Sequence, residues 1–187
     1  MSIRTPFKGE ASKGILKKER YLVSISQNQL LKTTARKWLD ERGVTVGDMA
    51  ELVMFLQKDY HETLTLETCT KNVEAVLEKR EVQNAILTGI QLDRLTEKGL
   101  IEEPLLDILK RDEGLYGVDE IVAFSIVNVY GSIGFTNYGY IDKVKPGILE
   151  RLNDKTTGEC HTFLDDIVGA IAAAAASRLA HAAGDVE

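Results

Sequence analysis

The sequence predicts an all-α protein, a single-domain orthogonal helical bundle of about seven or eight helices with a buried central helix. Apolar residues recur at intervals of three and four from about residue 28 onward, which is the period of an amphipathic helix. Only 3 prolines interrupt 187 residues, and aromatic residues make up 6% of the chain. The core is therefore expected to consist of Leu, Ile, Val and Ala, and the length suffices for one such core.

The first half of the chain reads as consecutive amphipathic helices. A first helix is expected over residues 28–42, with Gly43 as its end. Thr45 followed by Asp48 has the spacing of a capping box, so a second helix should start there. The apolar period predicts further helices over residues 66–77, 82–99, 103–110 and 146–153.

Two segments are apolar on nearly every face, and such helices are normally buried on every side. The first covers residues 118–131, where a buried strand is the alternative, but the length and the helical context favour a helix. The second is the alanine-rich segment over residues 163–183. These two helices are expected at the centre of the bundle. The stretch 131–140 between glycines could cradle a phosphate, although a helix end followed by a turn explains it equally well.

The sequence predicts a basic arm at the N-terminus, over residues 1–20. Residues 1–20 hold six Lys or Arg against two Glu and show no apolar period. A solvated tail is the expected state of this arm, and contact with anionic lipid or phosphate at a membrane surface is the alternative. Residues 21–187 form the single helical domain.

Composition excludes several classes of protein. A net charge of −6 disfavours a nucleic-acid binder, which needs a basic surface. No signal peptide or membrane span is recognisable, since the longest uninterrupted apolar run is shorter than the roughly 20 residues that a span requires. Two distant cysteines suit a reducing compartment. We expect a soluble cytoplasmic protein.

Both apolar helices begin with an acidic pair: Asp119 with Glu120, and Asp165 with Asp166. One acid per helix is explained by capping and by the helix dipole, and Thr162 with Asp165 even has capping-box spacing. Neighbouring residues on a helix point about 100° apart, so the second acid of each pair must face elsewhere. On a buried helix it faces protein, where an ionised carboxylate needs a cation or a metal.

A third acidic position lies between these pairs, in the sequence "YIDKVKPG", which contains Asp142, Lys143 and Lys145. Carboxylates without Cys or His companions suit a hard cation such as Mg²⁺, and lysines beside them suit a phosphate. The rival interpretation is a structural salt bridge between one of the lysines and one of the acids. His161, which precedes the last pair, is expected to be a bystander or to lie behind the site.

Three short motifs in this order, "DEIVA" (119–123), "DKVKP" (142–146) and "DDIVGA" (165–170), resemble the phosphatidylglycerophosphatase A family. The resemblance covers residues 115–180, and the whole chain looks like the helical, soluble branch found in Gram-positive bacteria. The membrane members carry a glycine-rich N-terminal motif that has no counterpart here. They also have an arginine where this chain has Gly139.

The resemblance implies a Mg²⁺-dependent phosphomonoester hydrolase that converts phosphatidylglycerophosphate to phosphatidylglycerol and phosphate. It also implies a homo-oligomer, with a tetramer as the guess. The alternative is a non-catalytic helical oligomer that binds a phosphorylated metabolite or a lipid head group. The implied catalytic residues are Asp119, Asp142 and Asp166. The implied phosphate-binding residues are Lys143 and Lys145. The implied metal ligands are Asp119, Glu120, Asp165 and Asp166.

Overall fold

The computed structural model describes residues 26–184, so the predicted basic arm lies outside the described part of the chain. Within that part the fold is all-α with no strand, as predicted. The helices are α1 (26–41), α2 (Val46–Gln57), α3 (Leu66–Leu77), α4 (Arg80–Glu97), α5 (Leu105–Lys110), α6 (Val118–Val127), α7 (Gly131–Val144), α8 (Ile148–Leu152) and α9 (Leu164–Gly184).

The start of α2 follows the local chemistry expected from the sequence. At α2 the hydroxyl of Thr45 accepts the backbone N–H of Asp48 at 3.1 Å. In return, the carboxylate of Asp48 accepts the backbone N–H of Thr45 at 2.7 Å. The predicted capping box is therefore formed, and it satisfies two backbone N–H groups that the helix itself leaves without partners.

The alanine-rich helix α9 is the central helix of the bundle, as predicted. It packs against α2, α3, α4, α6, α7 and α8, and every residue from Phe163 to Ala176 is buried, including the acidic pair at 6% exposure each. Its small side chains allow this crowding. On α4, a Cβ at Gly89 would lie 2.9 Å from the Cβ of Phe163, so the absence of a side chain there sets the spacing between the two helices.

The apolar segment expected as one buried helix over residues 118–131 is instead the first arm of a helical hairpin. Helix α6 ends at Val127, a short 3₁₀ turn covers Asn128–Tyr130, and α7 continues to Val144. The reversal takes place at Gly131, whose φ of 76° favours glycine. Residues 131–140, considered above as a loop or a turn, are thus helical. Apolarity on every face did not mean burial here, because Ile121 is 62% exposed.

Contacts across the hairpin show that its arms are antiparallel. The ring of Phe124 packs edge-on against the ring of Tyr138, with 5.4 Å between centroids, and a Cβ at Gly134 would lie 2.9 Å from a methyl group of Val127. By length and mean hydropathy the segment Val118–Val144 could cross a membrane. Its folding back leaves arms of 10 and 14 residues, and each is shorter than the roughly 20 residues that a span requires.

The hairpin lies alongside α9, with α6 parallel to it and α7 antiparallel. The hydroxyl of Ser177 donates to the carbonyl oxygen of Tyr130 at 2.8 Å, which fixes the bend of the hairpin near the middle of α9. The start of α6, the end of α7 and the start of α9 therefore come together at the same end of the bundle. All three predicted acidic positions lie at this end.

Candidate active site

The start of α9 is held by a residue that the sequence did not indicate. Asp93 of α4 is completely buried, and its two carboxylate oxygens accept the backbone N–H groups of Phe163 and Leu164, each at 3.1 Å. The predicted capping box at Thr162 is wrong, because the Thr162 hydroxyl donates to the carbonyl oxygen of Leu109 at 2.7 Å. A carboxylate from a distant helix thus caps α9 and sets the position of the acidic pair that follows.

Lys145 lies at the centre of the acidic cluster. Its Nζ is 2.7 Å from Asp142 Oδ1, 2.7 Å from Asp165 Oδ2 and 3.6 Å from Asp166 Oδ1. The lysine ends α7 with a left-handed φ of 48°, and this turn directs its side chain back towards Asp142, three residues earlier. Burial lowers the pKa of Lys145, but the surrounding carboxylates outweigh that effect and raise it overall. The ammonium group therefore stays charged.

Within residues 26–184 Asp119 forms no ion pair, and Asp166 forms only the 3.6 Å contact with Lys145. Asp119 is 8% exposed, and the contact found for its side chain is the backbone N–H of Glu120, at 2.9 Å from Oδ1. Burial raises its pKa. Burial also raises the pKa of Asp166 to about 8; the nearby charge of Asp165 adds to the shift and the charge of Lys145 opposes it. Neither group therefore has enough positive charge around it in the fold to favour its ionised form.

A cavity of about 290 Å³ opens onto this cluster. Its lining contains seven acidic side chains and two lysines, Lys145 and Lys155. The excess of acidic side chains disfavours a phosphate dianion in this cavity, and a bound cation would offset that repulsion. The acids that line it are Asp112, Glu113, Asp119, Glu120, Asp142, Asp165 and Asp166.

The donor chemistry of this cavity fits Mg²⁺, which prefers carboxylate oxygens. Within residues 26–184 no three His, Cys, Asp or Glu side chains are already arranged to hold a metal ion. Lys145 holds Asp142 and Asp165 most closely, at 2.7 Å each, and Asp166 only at 3.6 Å. Asp119, Glu120 and Asp166 are therefore the acids best able to turn towards a cation. The match between this cavity and Mg²⁺ therefore rests on its carboxylate donors and on its excess of acidic side chains.

Tyr138 is a second residue that the sequence did not indicate. It lies on α7 one turn before Asp142, and its buried hydroxyl has no hydrogen-bond partner within the described residues. Burial raises its pKa, and the nearby Asp166 and Asp142 raise it further. A neutral O–H group beside these acids is an available donor for a carboxylate or for a bound oxygen atom. The spacing of four residues to Asp142 was the one signal in the sequence.

A second cavity, also of about 290 Å³, adjoins the first one. The ion pair between Lys155 Nζ and Asp112 Oδ2, at 3.0 Å, lies on the boundary. His161 lines this second cavity and not the acidic one, with Nε2 3.2 Å from Glu159 Oε2. Burial, with Arg42 adding to it, lowers the pKa of His161. The residues common to both cavities are Asp112, Asn153, Lys155, Thr162 and Asp165.

The structure brings most of the predicted site residues into one place. Asp119, Glu120, Asp142, Lys145, Asp165 and Asp166 all line the acidic cavity. Lys143 does not line it and is exposed on the outer side of α7, so its predicted phosphate contact gains no support from the geometry. The salt-bridge interpretation holds for Lys145, which pairs with Asp142 and Asp165.

The chain is similar to known proteins over most of its length. The family model for phosphatidylglycerophosphatase A matches residues 35–181. The uncharacterised protein YutG of Bacillus subtilis is 69% identical over 157 residues, which cover 84% of this chain and 95% of YutG.

Two solved structures share the fold. A protein of unknown function from Bacillus stearothermophilus is 73% identical with a TM-score of 0.80, over 81% of this chain and 94% of that one. The low temperature requirement C protein from Listeria monocytogenes is 69% identical with a TM-score of 0.82, over 83% of this chain and 98% of that one. The match over residues 35–181, together with the acidic motifs assembled at one end of the bundle, shows that this chain belongs to the phosphatidylglycerophosphatase A family.

Proposed function

We propose that the protein hydrolyses a phosphomonoester and requires a divalent cation, with Mg²⁺ as the natural choice. The observation that carries this proposal is the charge of the acidic cavity, where seven carboxylates outnumber two lysines. A cluster of this kind costs folding free energy, because buried like charges repel each other. Family membership makes phosphatidylglycerophosphate the first substrate to test.

Each residue of the cluster has a separate part in this scheme. Asp119, Glu120 and Asp166 would hold the cation, which supplies positive charge for the phosphoryl oxygens. Lys145, kept charged by its carboxylate neighbours, is placed to contact the same oxygens. Asp142 contacts Lys145 through Oδ1 and is one third exposed, so its other oxygen can accept the proton of an attacking water.

The reaction balances with these groups. The oxygen of water forms the new bond to phosphorus while the ester P–O bond breaks. The proton that Asp142 accepts is matched by the proton that the leaving alcohol takes up. The adjoining cavity of about 290 Å³ has room for the glycerol end of that alcohol, and its polar lining suits a hydroxylated group.

The alternative is a non-catalytic helical oligomer that binds a phosphorylated metabolite or a lipid head group. The position of Lys145 favours it, because this ammonium group already compensates Asp142 and Asp165 without a metal. The two functions differ in what Asp166 does. A metal ligand is held in an unfavourable environment until the cation binds, whereas a salt-bridge partner stabilises the fold.

Titration calorimetry of Mg²⁺ and Mn²⁺ into the wild-type protein and an Asp166→Asn variant tests the proposal. We expect saturable binding to the wild type and none to the variant. An Asp107→Asn variant serves as the control, since Asp107 is an exposed acid on α5 outside both cavities. We also expect Asp166→Asn to raise the free energy of unfolding of the metal-free protein, by about 1 kcal/mol, because it removes a carboxylate held against its neighbours.

Phosphate release then identifies the substrate class, with phosphatidylglycerophosphate in mixed micelles compared with glycerol phosphate. Activity should require the cation and disappear with a chelator. Absence of saturable cation binding to the wild type, together with a less stable Asp166→Asn variant, would contradict the hydrolase and favour the alternative.

A further inference from the structure

Tyr138 of α7 carries a polar atom for which the fold provides no contact. The residue is 3% exposed, and its hydroxyl oxygen has no hydrogen-bond partner within residues 26–184. Burying a hydroxyl without a partner costs free energy, and a phenylalanine side chain would fill the same space without that cost. A hydroxyl kept at such a position therefore needs an explanation in the chemistry of its neighbours.

The ring of Tyr138 is fixed by packing on two sides, so its hydroxyl has a defined position. On α6, the ring of Phe124 packs edge-on against it, with 5.4 Å between centroids. On α9, a Cβ at Gly169 would lie 3.8 Å from Cε2 of the tyrosine, the ring atom next to the carbon that bears the hydroxyl. Gly169 lies three residues after Asp166 and hence on the same face of α9. The ring therefore packs against the face of α9 that carries Asp166.

Asp166 is the acceptor that suits this hydroxyl best. Burial raises the pKa of Tyr138, and among the surrounding charges that of Asp166 raises it most, ahead of Asp142. The hydroxyl thus stays protonated and can donate. The contact found for the Asp166 carboxylate within the described residues is Lys145 Nζ at 3.6 Å, which is too long for a hydrogen bond. A donor without an acceptor therefore lies beside an acceptor without a donor.

The hydroxyl lies behind the acidic cavity and not in it. Tyr138 lines neither of the two cavities at this end of the bundle, and its hydroxyl oxygen is sealed from solvent. A substrate cannot reach this atom without a rearrangement of α7, so any effect on the site passes through a neighbouring side chain. Asp142 is the other acid nearby, but Lys145 already holds it at 2.7 Å.

We propose that Tyr138 is a positioning residue whose hydroxyl donates to the Asp166 carboxylate and holds that group towards the divalent cation. Carboxylates that bind metal ions are commonly oriented by such hydrogen bonds from behind. The structure shows the two side chains close together but not hydrogen-bonded, so a rotation of Asp166 away from Lys145 accompanies the formation of the bond. This inference rests on the proposed cation site and adds to it a residue that touches neither cation nor substrate.

Titration calorimetry of Mg²⁺ and Mn²⁺ into the full chain, as wild type and as Tyr138→Phe, tests the proposal. We expect the dissociation constant of the variant to rise by at least about tenfold. Tyr130→Phe is the matched control, because the Tyr130 hydroxyl is also buried without a partner within the described residues. Tyr130 lies at the bend of the hairpin, at the other end from the acidic cluster, so its variant should bind the cation like the wild type.

Urea denaturation without divalent cations separates positioning from packing. Removing a buried hydroxyl that has no partner should leave the unfolding midpoint of Tyr138→Phe equal to that of the wild type or higher. Weaker cation binding should therefore come without any loss of stability. A lower midpoint together with weaker binding would assign Tyr138 to packing alone and overturn the proposal.

Three other outcomes would also overturn it, and each has a different meaning. An unchanged dissociation constant for Tyr138→Phe, beside a wild type that binds the cation, would reject the role of Tyr138 and leave the cation site in place. Unchanged affinity with slower phosphate release at saturating cation would show that the hydroxyl acts through Asp142 instead. No saturable binding to the wild type would reject the cation site and this inference together.

Discussion

Replacing Asp93 by Asn should destabilise the protein although the two side chains have nearly the same shape. Asp93 offers one carboxylate oxygen to each of the N–H groups of Phe163 and Leu164. An Asn side chain has one acceptor oxygen, so its amide NH₂ would face the second N–H and leave that donor buried without a partner. This costs about 1–3 kcal/mol, and above about pH 8, where Asp93 is ionised, the loss of its negative charge at the start of α9 adds up to about 1 kcal/mol.

One effect opposes this loss, because Asp93 is fully buried and desolvation raises its pKa to about 8. Replacing this buried ionisable group by a neutral amide removes its desolvation penalty and so offsets part of the loss in free energy of unfolding. We therefore expect a net loss of about 2 kcal/mol, which corresponds to a drop in Tm of about 4–8 °C for a domain of this size.

Thermal and urea denaturation followed by circular dichroism measure this change. The exposed Asp107→Asn variant is the control and should unfold within about 0.5 kcal/mol of the wild type. A second readout is the affinity for Mg²⁺, which should fall because α9 no longer holds Asp166 in place. If Asp93→Asn unfolds like the wild type, Asp93 does not cap α9 in the way described here.

Three further predictions concern other parts of the fold. Gly89→Ala should lower the free energy of unfolding measured in urea by about 1 kcal/mol. The new methyl group would be overpacked against Phe163 and Ile167, and this cost outweighs the gain in helix propensity. Adding Ile167→Val to the same chain should recover part of the loss. Burial raises the pKa of Asp166 to about 8, so the folded protein binds a proton between about pH 4 and 8 that the unfolded chain releases. This one group should make the free energy of unfolding fall with rising pH by up to about 1 kcal/mol per unit. Asp166→Asn should reduce the slope by that amount, and part of it should remain because the pKa of Asp93 is also raised to about 8. Thr45→Ala should cost about 1 kcal/mol in the same assay through loss of the capping box, and an unchanged midpoint would refute that role.

The sequence predicted the helices well because their signals are local. Helix capping acts within one helical turn, as at Thr45 and Asp48, and helix propensity is a property of each residue, as in the alanine run of α9. Both effects can therefore be predicted from residues adjacent in sequence. The acidic motifs were also readable, since a buried helix that opens with two carboxylates needs an explanation. Their meeting at one end of the bundle follows from the hairpin that turns at Gly131.

Contacts between distant parts of the chain were not predictable in the same way. Asp93 looks like any acid of an amphipathic helix, and nothing near it in sequence points to α9. The apolar pattern after residue 118 predicts full burial, because a helix with apolar residues on every face is usually buried. The exposed Ile121 of α6 shows that apolar residues on every face of a helix do not by themselves predict burial within the fold.

The burial of α9 has a consequence for any attempt to shorten this protein. The three acidic motifs occupy residues 119–170, and that part of the chain alone could pass for a self-sufficient module. Yet α9 owes its surroundings to α2, α3 and α4, and its first turn is anchored by a carboxylate that precedes all three motifs. A fragment starting after α4 would present the alanine helix to water with its leading turn untethered. Substitutions in the first half of the chain can therefore disrupt the site without contacting it. A transfer of the three motifs to another scaffold would also have to include helix α4 with Asp93.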